Sequence, residues 1–88
     1  MRDFDFIDWD DAADPRGNVH HILANGITVA EFEEVLNGPS KPTRSRSSGR
    51  PAKVGWTSTG KHIIVVYEVE DDGGFVIARP VTAYEIEP

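Results

Sequence analysis

The stretch that decides the fold is KVGWTSTGKHIIVVYEVEDDGGFVIARPVT, residues 53–82. It holds three segments rich in Val, Ile and aromatic residues, separated by Thr59-Gly60 and by Asp71-Asp72-Gly73-Gly74. β-branched and aromatic residues favour strands, and polar pairs that contain glycine favour tight turns. The pattern therefore predicts three consecutive antiparallel strands, over residues 53–58, 62–70 and 75–82.

The last predicted hairpin also gives an expected register. With the turn centred on the Asp-Asp-Gly-Gly sequence, Val66 lies opposite Arg79 and Glu68 opposite Ile77, so Glu68 and Arg79 are diagonal neighbours on one face. The alternate residues of the middle strand take the other face; these are Ile63, Val65, Tyr67 and Val69.

A helix over residues 28–37 is indicated just before the basic part of the chain. Thr28-Val29-Ala30-Glu31 has the form of a capping box, and Ile27 with Phe32 forms a hydrophobic staple around it. Asn37-Gly38-Pro39 ends the helix. Its inward face is apolar and consists of Phe32, Val35 and Leu36.

A first helix and an edge strand precede it. Asp14-Pro15 is a typical helix start, although Gly17-Asn18 leaves a later start open, and Asn25-Gly26 is a typical left-handed end. Val19, Ile22 and Leu23 supply its apolar stripe. Residues 4–10 alternate imperfectly between apolar and acidic side chains, which favours a short edge strand with its Asp residues in water.

These elements predict the fold class and the domain organisation. A chain of 88 residues with 39% hydrophobic side chains forms one compact domain. We expect an α+β fold with a short N-terminal strand, two helices and a three-stranded antiparallel meander, in which both helices pack on one sheet face. Residues 39–52 lack apolar periodicity, so we expect a mobile basic loop that contains a short strand.

Charge is distributed very unevenly along the chain. The formal net charge is −6, which argues against a protein that coats nucleic acid or anionic membranes through its overall field. Residues 37–53 nevertheless contain no acidic residue and five basic ones, which are Lys41, Arg44, Arg46, Arg50 and Lys53. An anionic ligand is expected to bind there.

Several classes of site and location are disfavoured by the sequence. The absence of cysteine excludes a disulfide framework and favours the cytoplasm. The longest apolar run, Ile63-Ile64-Val65-Val66, is far too short to cross a membrane, and the N-terminus does not resemble a signal peptide. No cofactor fingerprint or metal-binding spacing is present, and the acidic residues from Asp3 to Asp14 are expected to form a solvated edge.

Several short strings, in this order along the chain, carry a resemblance to a known family. They are Phe6-Ile7-Asp8-Trp9-Asp10, residues 18–28, residues 32–36, Val54-Gly55-Trp56-Thr57 with residues 60–67, and Ile77-Ala78-Arg79 with Thr82 and Glu85. Together they resemble the BrnT family, the ribonuclease toxins of one class of bacterial toxin–antitoxin pairs, which have a RelE-like fold. The resemblance implies an endoribonuclease that a cognate antitoxin neutralises.

The sequence also departs from that family. Ala24-Asn25 stands where the family has Lys-His, and the chain is acidic with no basic C-terminal extension. A non-catalytic binding module with the same fold, which associates with a partner and controls transcription through it, therefore stays open as the second interpretation.

Metal-independent RNA cleavage needs a proton-transfer group and cations for the phosphate. His21 is the first candidate for proton transfer, since the negative end of a helix dipole favours its charged form; a solvent-facing or helix-capping histidine is the alternative. We expect His20 to be exposed and His62 to have a packing role.

Arginines in and after the basic stretch are the candidate phosphate ligands. Arg46 and Arg50 lie among hydroxyls and a glycine, which suits a phosphate, the acidic residues of an antitoxin or simply a solvated loop. Arg79 lies in an apolar strand, so it is either paired with Glu68 or contacts phosphate with Glu68 orienting it.

The predicted site follows from these candidates. The catalytic residues are His21, Arg50 and Arg79, with Glu68 as the orienting carboxylate. Base stacking is expected of Trp56 and Tyr84, and core packing of Trp9. The residues expected to bind substrate are Arg44, Arg46, Ser48, Lys53, Trp56, Thr82 and Tyr84.

Overall fold

The computed structural model describes residues 4–87 and has an α+β architecture. In chain order the elements are β1 Phe6–Ile7, α1 Asn18–Ala24, α2 Val29–Asn37, β2 Lys41–Arg44, β3 Pro51–Trp56, β4 His62–Asp72 and β5 Phe75–Glu85. The strands form one sheet in the order β1-β5-β4-β3-β2. β1 runs parallel to β5, and every other neighbouring pair is antiparallel.

The predicted meander is confirmed as β3, β4 and β5, and β2 adds a strand to it. β2 pairs with β3 from Lys41 opposite Val54 to Arg44 opposite Pro51, so most of the basic segment forms a hairpin. All four β2 residues are exposed, and one is Pro42, which an edge strand tolerates because one side of its backbone faces solvent. The sequence lacked apolar periodicity here because this strand contributes no side chain to the core.

The expected register of the last hairpin is wrong. Asp72 pairs with Phe75 across a two-residue turn, which sets Glu68 directly opposite Arg79. Gly73 and Gly74 have φ of 60° and 90°, and two consecutive positive φ values are what a two-residue turn of the type I′ class requires. Further along, the register shifts between Val66 and Tyr67, which leaves Val81 as an extra residue in β5.

Helix α1 begins later than Asp14-Pro15. The Asp14 carbonyl and carboxylate accept hydrogen bonds from Gly17 N and Arg16 N, so this segment forms a turn. The helix begins after Gly17, and the Asp10 carboxylate accepts from Asn18 N. A Cβ atom on Gly17 would lie 2.8 Å from Cβ of Asp10, so only glycine permits this close approach.

Helix α2 has the predicted capping box and an additional tertiary network. Thr28 Oγ1 accepts from Glu31 N, and the Glu31 carboxylate accepts from Thr28 N. The same buried carboxylate accepts from Thr59 and Lys61, in the turn between β3 and β4. Burial acts to raise the pKa of Glu31, but the hydrogen bonds from Thr59, Thr28 and Lys61 outweigh it and lower that pKa to about 2.

The helices cover one face of the sheet. The larger of two apolar clusters lies between the helices and the sheet. It contains Ile22 of α1, Phe32 and Leu36 of α2, and Ile63 and Val65 of β4. The smaller cluster lies on the other face and contains side chains of the sheet strands and Ile86, with no contribution from α1 or α2. The predicted one-sided packing is therefore confirmed, and the other face is left without a helix.

Candidate functional site

The face of the sheet without helices, here called the open face, carries exposed aromatic side chains. Its centre is closed by small and branched residues, namely Ala52, Val54, Ile64, Val66, Val81 and Ile86. Trp56 at the end of β3 and Tyr84 in β5 are 59% and 42% exposed. An aromatic side chain left this accessible beside an apolar sheet provides a surface on which a planar ligand can stack.

Trp56 stacks on His62 at one corner of the open face. The two residues are direct partners across β3 and β4, with ring centroids 4.6 Å apart and ring planes 23° from parallel. Nδ1 of His62 is buried and has no hydrogen-bond partner. Both rings line a groove, here called the Trp56 groove, whose other wall is formed by Pro39, Ser40, Lys41, Pro42 and Thr43.

A second groove adjoins it and contains two basic side chains of the β2–β3 hairpin. Arg44 and Arg46 line it from the hairpin, and Tyr84 lines it from β5. Thr43 and Val54 line both grooves, so the two form a continuous surface across the open face. Arg44 donates from Nη1 to the carbonyl of Gly49 over 3.0 Å, which fixes its direction within the hairpin.

The predicted catalytic arginines lie at the other end of the open face and are paired with carboxylates. Arg50 Nε lies 3.4 Å from Oε2 of Glu68, and this buried nitrogen has no hydrogen bond in addition to the ion pair. Arg79 contacts Glu70 at 2.8 Å and Asp8 at 3.3 Å. Glu68 lies opposite Arg79 in the register, but its ion pair is with Arg50. The expected Arg79–Glu68 pair is therefore replaced by the pairs Arg50–Glu68 and Arg79–Glu70.

His21 lies apart from these arginines, at the edge of β5 that α1 covers. Its Nε2 is 3.0 Å from Oγ1 of Thr82. Asn18 and Asn25, on the same helix face, donate to the carbonyls of Pro80 and Ala83. β1 pairs only with Ile77 and Ala78 of β5, so these side chains of α1 satisfy the part of the strand edge that β1 leaves open.

Three further residues from the sequence analysis have structural roles. Lys53 is buried on the helix side, where Nζ donates to the carbonyl of Leu36 over 3.0 Å, so it lies away from the grooves. Ser48 Oγ accepts from Arg50 N inside the turn. Trp9 packs edge-on against Phe32 and donates from Nε1 to a carboxylate of α2, which confirms its expected packing role.

The predicted acidic edge is exposed, and several of its carboxylates accept hydrogen bonds from the backbone. Asp5, Asp10, Asp11 and Asp14 each accept a hydrogen bond from a backbone N–H; Asp3 lies outside the described residues. Within residues 4–87, no three His, Asp or Glu side chains come together as a metal site would require. No helix in the same range is long and apolar enough to cross a membrane.

Sequence reasoning underestimated one residue, His62. A packing role was expected for it, and it does pack, but its partner is an exposed tryptophan in a groove with Lys41. The predicted turn at Thr59-Gly60 did not give this pairing; in the structure the connection spans residues 57–61 and sets Trp56 opposite His62. No protein-family model, no curated protein and no solved structure matches this chain.

Proposed function

We propose that this protein is a cytoplasmic, metal-independent endoribonuclease toxin of the BrnT type, with a RelE-like fold, that binds single-stranded RNA across the open face and is neutralised by a cognate antitoxin. The observation that supports it best is the position of the basic hairpin. Lys41, Arg44 and Arg46 line grooves that also contain exposed Trp56 and Tyr84. Cations together with stacking rings are what single-stranded RNA requires of a binding surface.

Cleavage by attack of a 2′-hydroxyl on the adjacent phosphate needs a proton acceptor close to the bound RNA. His62 lines the Trp56 groove with Lys41, whereas His21 is held against Thr82 at the α1 edge. In this proposal His62 accepts the proton of the 2′-hydroxyl as the 2′-oxygen bonds to phosphorus, and returns it to the 5′-oxygen as the bond from phosphorus to that oxygen breaks, which leaves a 2′,3′-cyclic phosphate. Guanidinium groups stabilise the charge that develops on the phosphate. Arg46 is a candidate for that second role, since no carboxylate lines its groove within residues 4–87.

Substitution of the three histidines tests this assignment. His62→Gln keeps a planar side chain and removes the imidazole, so cleavage of a single-stranded RNA should fall by about 10²–10⁴-fold with little change in affinity. His21→Ala and the exposed His20→Ala serve as matched controls and should keep most activity. A loss confined to His21→Ala would return proton transfer to the α1 edge, where the sequence first placed it.

The toxin role has a separate test in cells. Regulated expression of this chain alone should arrest growth and degrade RNA, and co-expression with the protein encoded by the adjacent gene should reverse both effects. Purified protein that leaves RNA intact across about pH 5–8, where histidine side chains change charge, would contradict the enzyme proposal.

The second candidate is a non-catalytic module that binds a partner protein. Two observations favour it: Arg50 and Arg79 are both already paired with carboxylates, and the chain has a net charge of −6. A stable complex with the neighbouring gene product, combined with intact RNA and unaffected growth, is the result that would establish it.

A further inference from the structure

Trp56 has one aromatic face occupied and one face open. His62 stacks on one side of the indole, yet 59% of the residue is accessible. Ordinary packing would bury a tryptophan at the end of a strand against neighbouring side chains, because its large apolar area is costly to leave in water. Here the strand pairing of Trp56 with His62 fixes the ring at the mouth of the groove without covering it.

The chain before β2 is brought up to this ring by a glycine. A Cβ atom on Gly55 would lie 3.2 Å from a methyl group of Val35 and 3.3 Å from Cβ of Ser40. The absence of a side chain at this position lets Ser40 and the residues after it approach β3 closely. The wall of the Trp56 groove that includes Lys41 therefore lies beside the indole ring.

The charges around the ring favour an anion with a planar group attached. Lys41 is exposed and lines the Trp56 groove, and Arg44 and Arg46 line the adjoining one. Neither groove is lined by an acidic residue within residues 4–87, although the whole chain contains 15 acidic residues and nine basic ones. An unpaired nucleotide has both required parts, a base with two flat faces and a phosphate.

We infer that Trp56 forms a nucleobase-binding subsite, in which one unpaired base of single-stranded RNA stacks on the indole face that His62 leaves free while Lys41 contacts an adjoining phosphate. Tyr84 lies in β5, two β-strands away from Trp56 and therefore roughly 10 Å from it across the sheet. Its ring is the stacking group for a further base of the same RNA molecule. The inference rests on the proposed ligand, RNA, and is independent of whether the protein cleaves it.

The intrinsic fluorescence of Trp56 provides a direct test. The chain has two tryptophans, so Trp9→Phe leaves Trp56 as the single reporter. The probe is a 2′-O-methylated octauridylate, which cannot be cleaved through its 2′-hydroxyls, titrated in low salt. We expect saturable quenching by this single strand and at least several-fold weaker binding of a duplex of the same length, whose bases are already stacked.

Binding of a fluorescently labelled form of the same probe then compares matched variants in the natural sequence. Trp56→Ala should weaken binding by about 5–150-fold, which corresponds to the loss of one base stack, whereas Trp56→Phe should retain part of it. Lys41→Ala should reduce the slope of log affinity against log salt by about 0.7, the value for one phosphate contact with a single strand. Phe75→Ala removes a similarly exposed ring outside the grooves and should have no effect.

The outcomes test base binding at Trp56 and ribonuclease activity separately. Unchanged affinity of a cooperatively folded Trp56→Ala variant overturns the subsite, and cleavage that persists in that variant would leave the ribonuclease proposal intact. Binding that depends on Trp56 without any cleavage of unmodified RNA supports the subsite and contradicts the ribonuclease. Equal quenching by an acidic peptide of similar charge would assign the groove to a protein partner and overturn the inference.

Discussion

The two faces of β4 are built from neighbouring residues of one apolar run but have different surroundings. Ile63 and Val65 pack under α2 in the large cluster, whereas Ile64 and Val66 belong to the small cluster on the open face. All four are buried, from 0% to 8% exposed. Burial on the open face is achieved by the side chains of the sheet itself, so an uninterrupted apolar strand does not require a helix on each side. The helix-covered face provides stability, and the open face keeps grooves accessible.

Removal of Phe32 should have the largest effect on the helix-covered face. The ring is fully buried in α2 and packs edge-on with Trp9. Phe32→Ala should lower the free energy of unfolding by about 3–5 kcal/mol, because it leaves a cavity as well as losing buried area. Urea denaturation measures this change. A loss below about 1 kcal/mol would mean that α2 does not pack as described.

The two faces of β4 are compared most directly by the same substitution, isoleucine to alanine, at two adjacent residues. Ile63→Ala should cost about 3–4 kcal/mol, since Ile63 is enclosed by the helices. Ile64→Ala should cost about 1–2 kcal/mol, because it is 8% exposed and the space it leaves opens to the grooves, where water can enter. Equal costs in urea denaturation would show that both faces are packed alike.

The network that joins α2 to the β3–β4 turn should make stability depend on pH. The pKa of Glu31 is about 2 in the folded protein, below its ordinary value of 4.5, so its stabilising effect is present above pH 4.5 and is lost as the pH falls towards 2. The loss should be on the order of 3 kcal/mol, because each unit of difference between the two pKa values corresponds to about 1.4 kcal/mol. Glu31→Gln should be less stable at neutral pH and should flatten this acid dependence relative to the natural chain, as measured by thermal melts from about pH 7 to 2.

Removal of Trp56 should have the smallest effect on stability. Its exposed ring contributes little to either cluster, so Trp56→Ala should change the free energy of unfolding by less than about 0.5 kcal/mol. The contrast with Phe32→Ala would separate a ring that stabilises the fold from a ring that is available to a ligand. A loss of 2 kcal/mol or more in the same urea assay would assign Trp56 to the core and remove that distinction.

The sequence predicted those helices, strands and turns well that are determined by residues close together in the chain. Thr28 and Glu31 satisfy the capping box within one helical turn, and a left-handed glycine at position 26 follows the end of α1. The three strands of the meander follow from β-branched runs and glycine turns. The start of α1 at Asp14-Pro15 was wrong, and the later start that Gly17-Asn18 left open is confirmed. The choice between the two depends on Asp10, eight residues before Asn18.

The candidate site was predicted less well because its members meet only through strand pairing. The residue types were recognised from the sequence: the basic stretch, Trp56 and Tyr84 do share the open face. Their partners were not, since cross-strand position alone does not decide an ion pair: Arg79 lies opposite Glu68 in the register but pairs with Glu70 and Asp8. Lys53 was grouped with the substrate-binding cations, but alternation along β3 turns it inward to the carbonyl of Leu36.

By itself, the sequence determined the helix with its capping box, the apolar strands and the concentration of positive charge in one segment, because each depends on residues close together in the chain. The tertiary structure alone decided that β2 joins the sheet, which carboxylates pair with the arginines, and that His62 rather than His21 stands beside the grooves. Those outcomes depend on register and on the side to which each strand turns its residues. A shift of one residue reverses that side, so only the packed sheet fixes it.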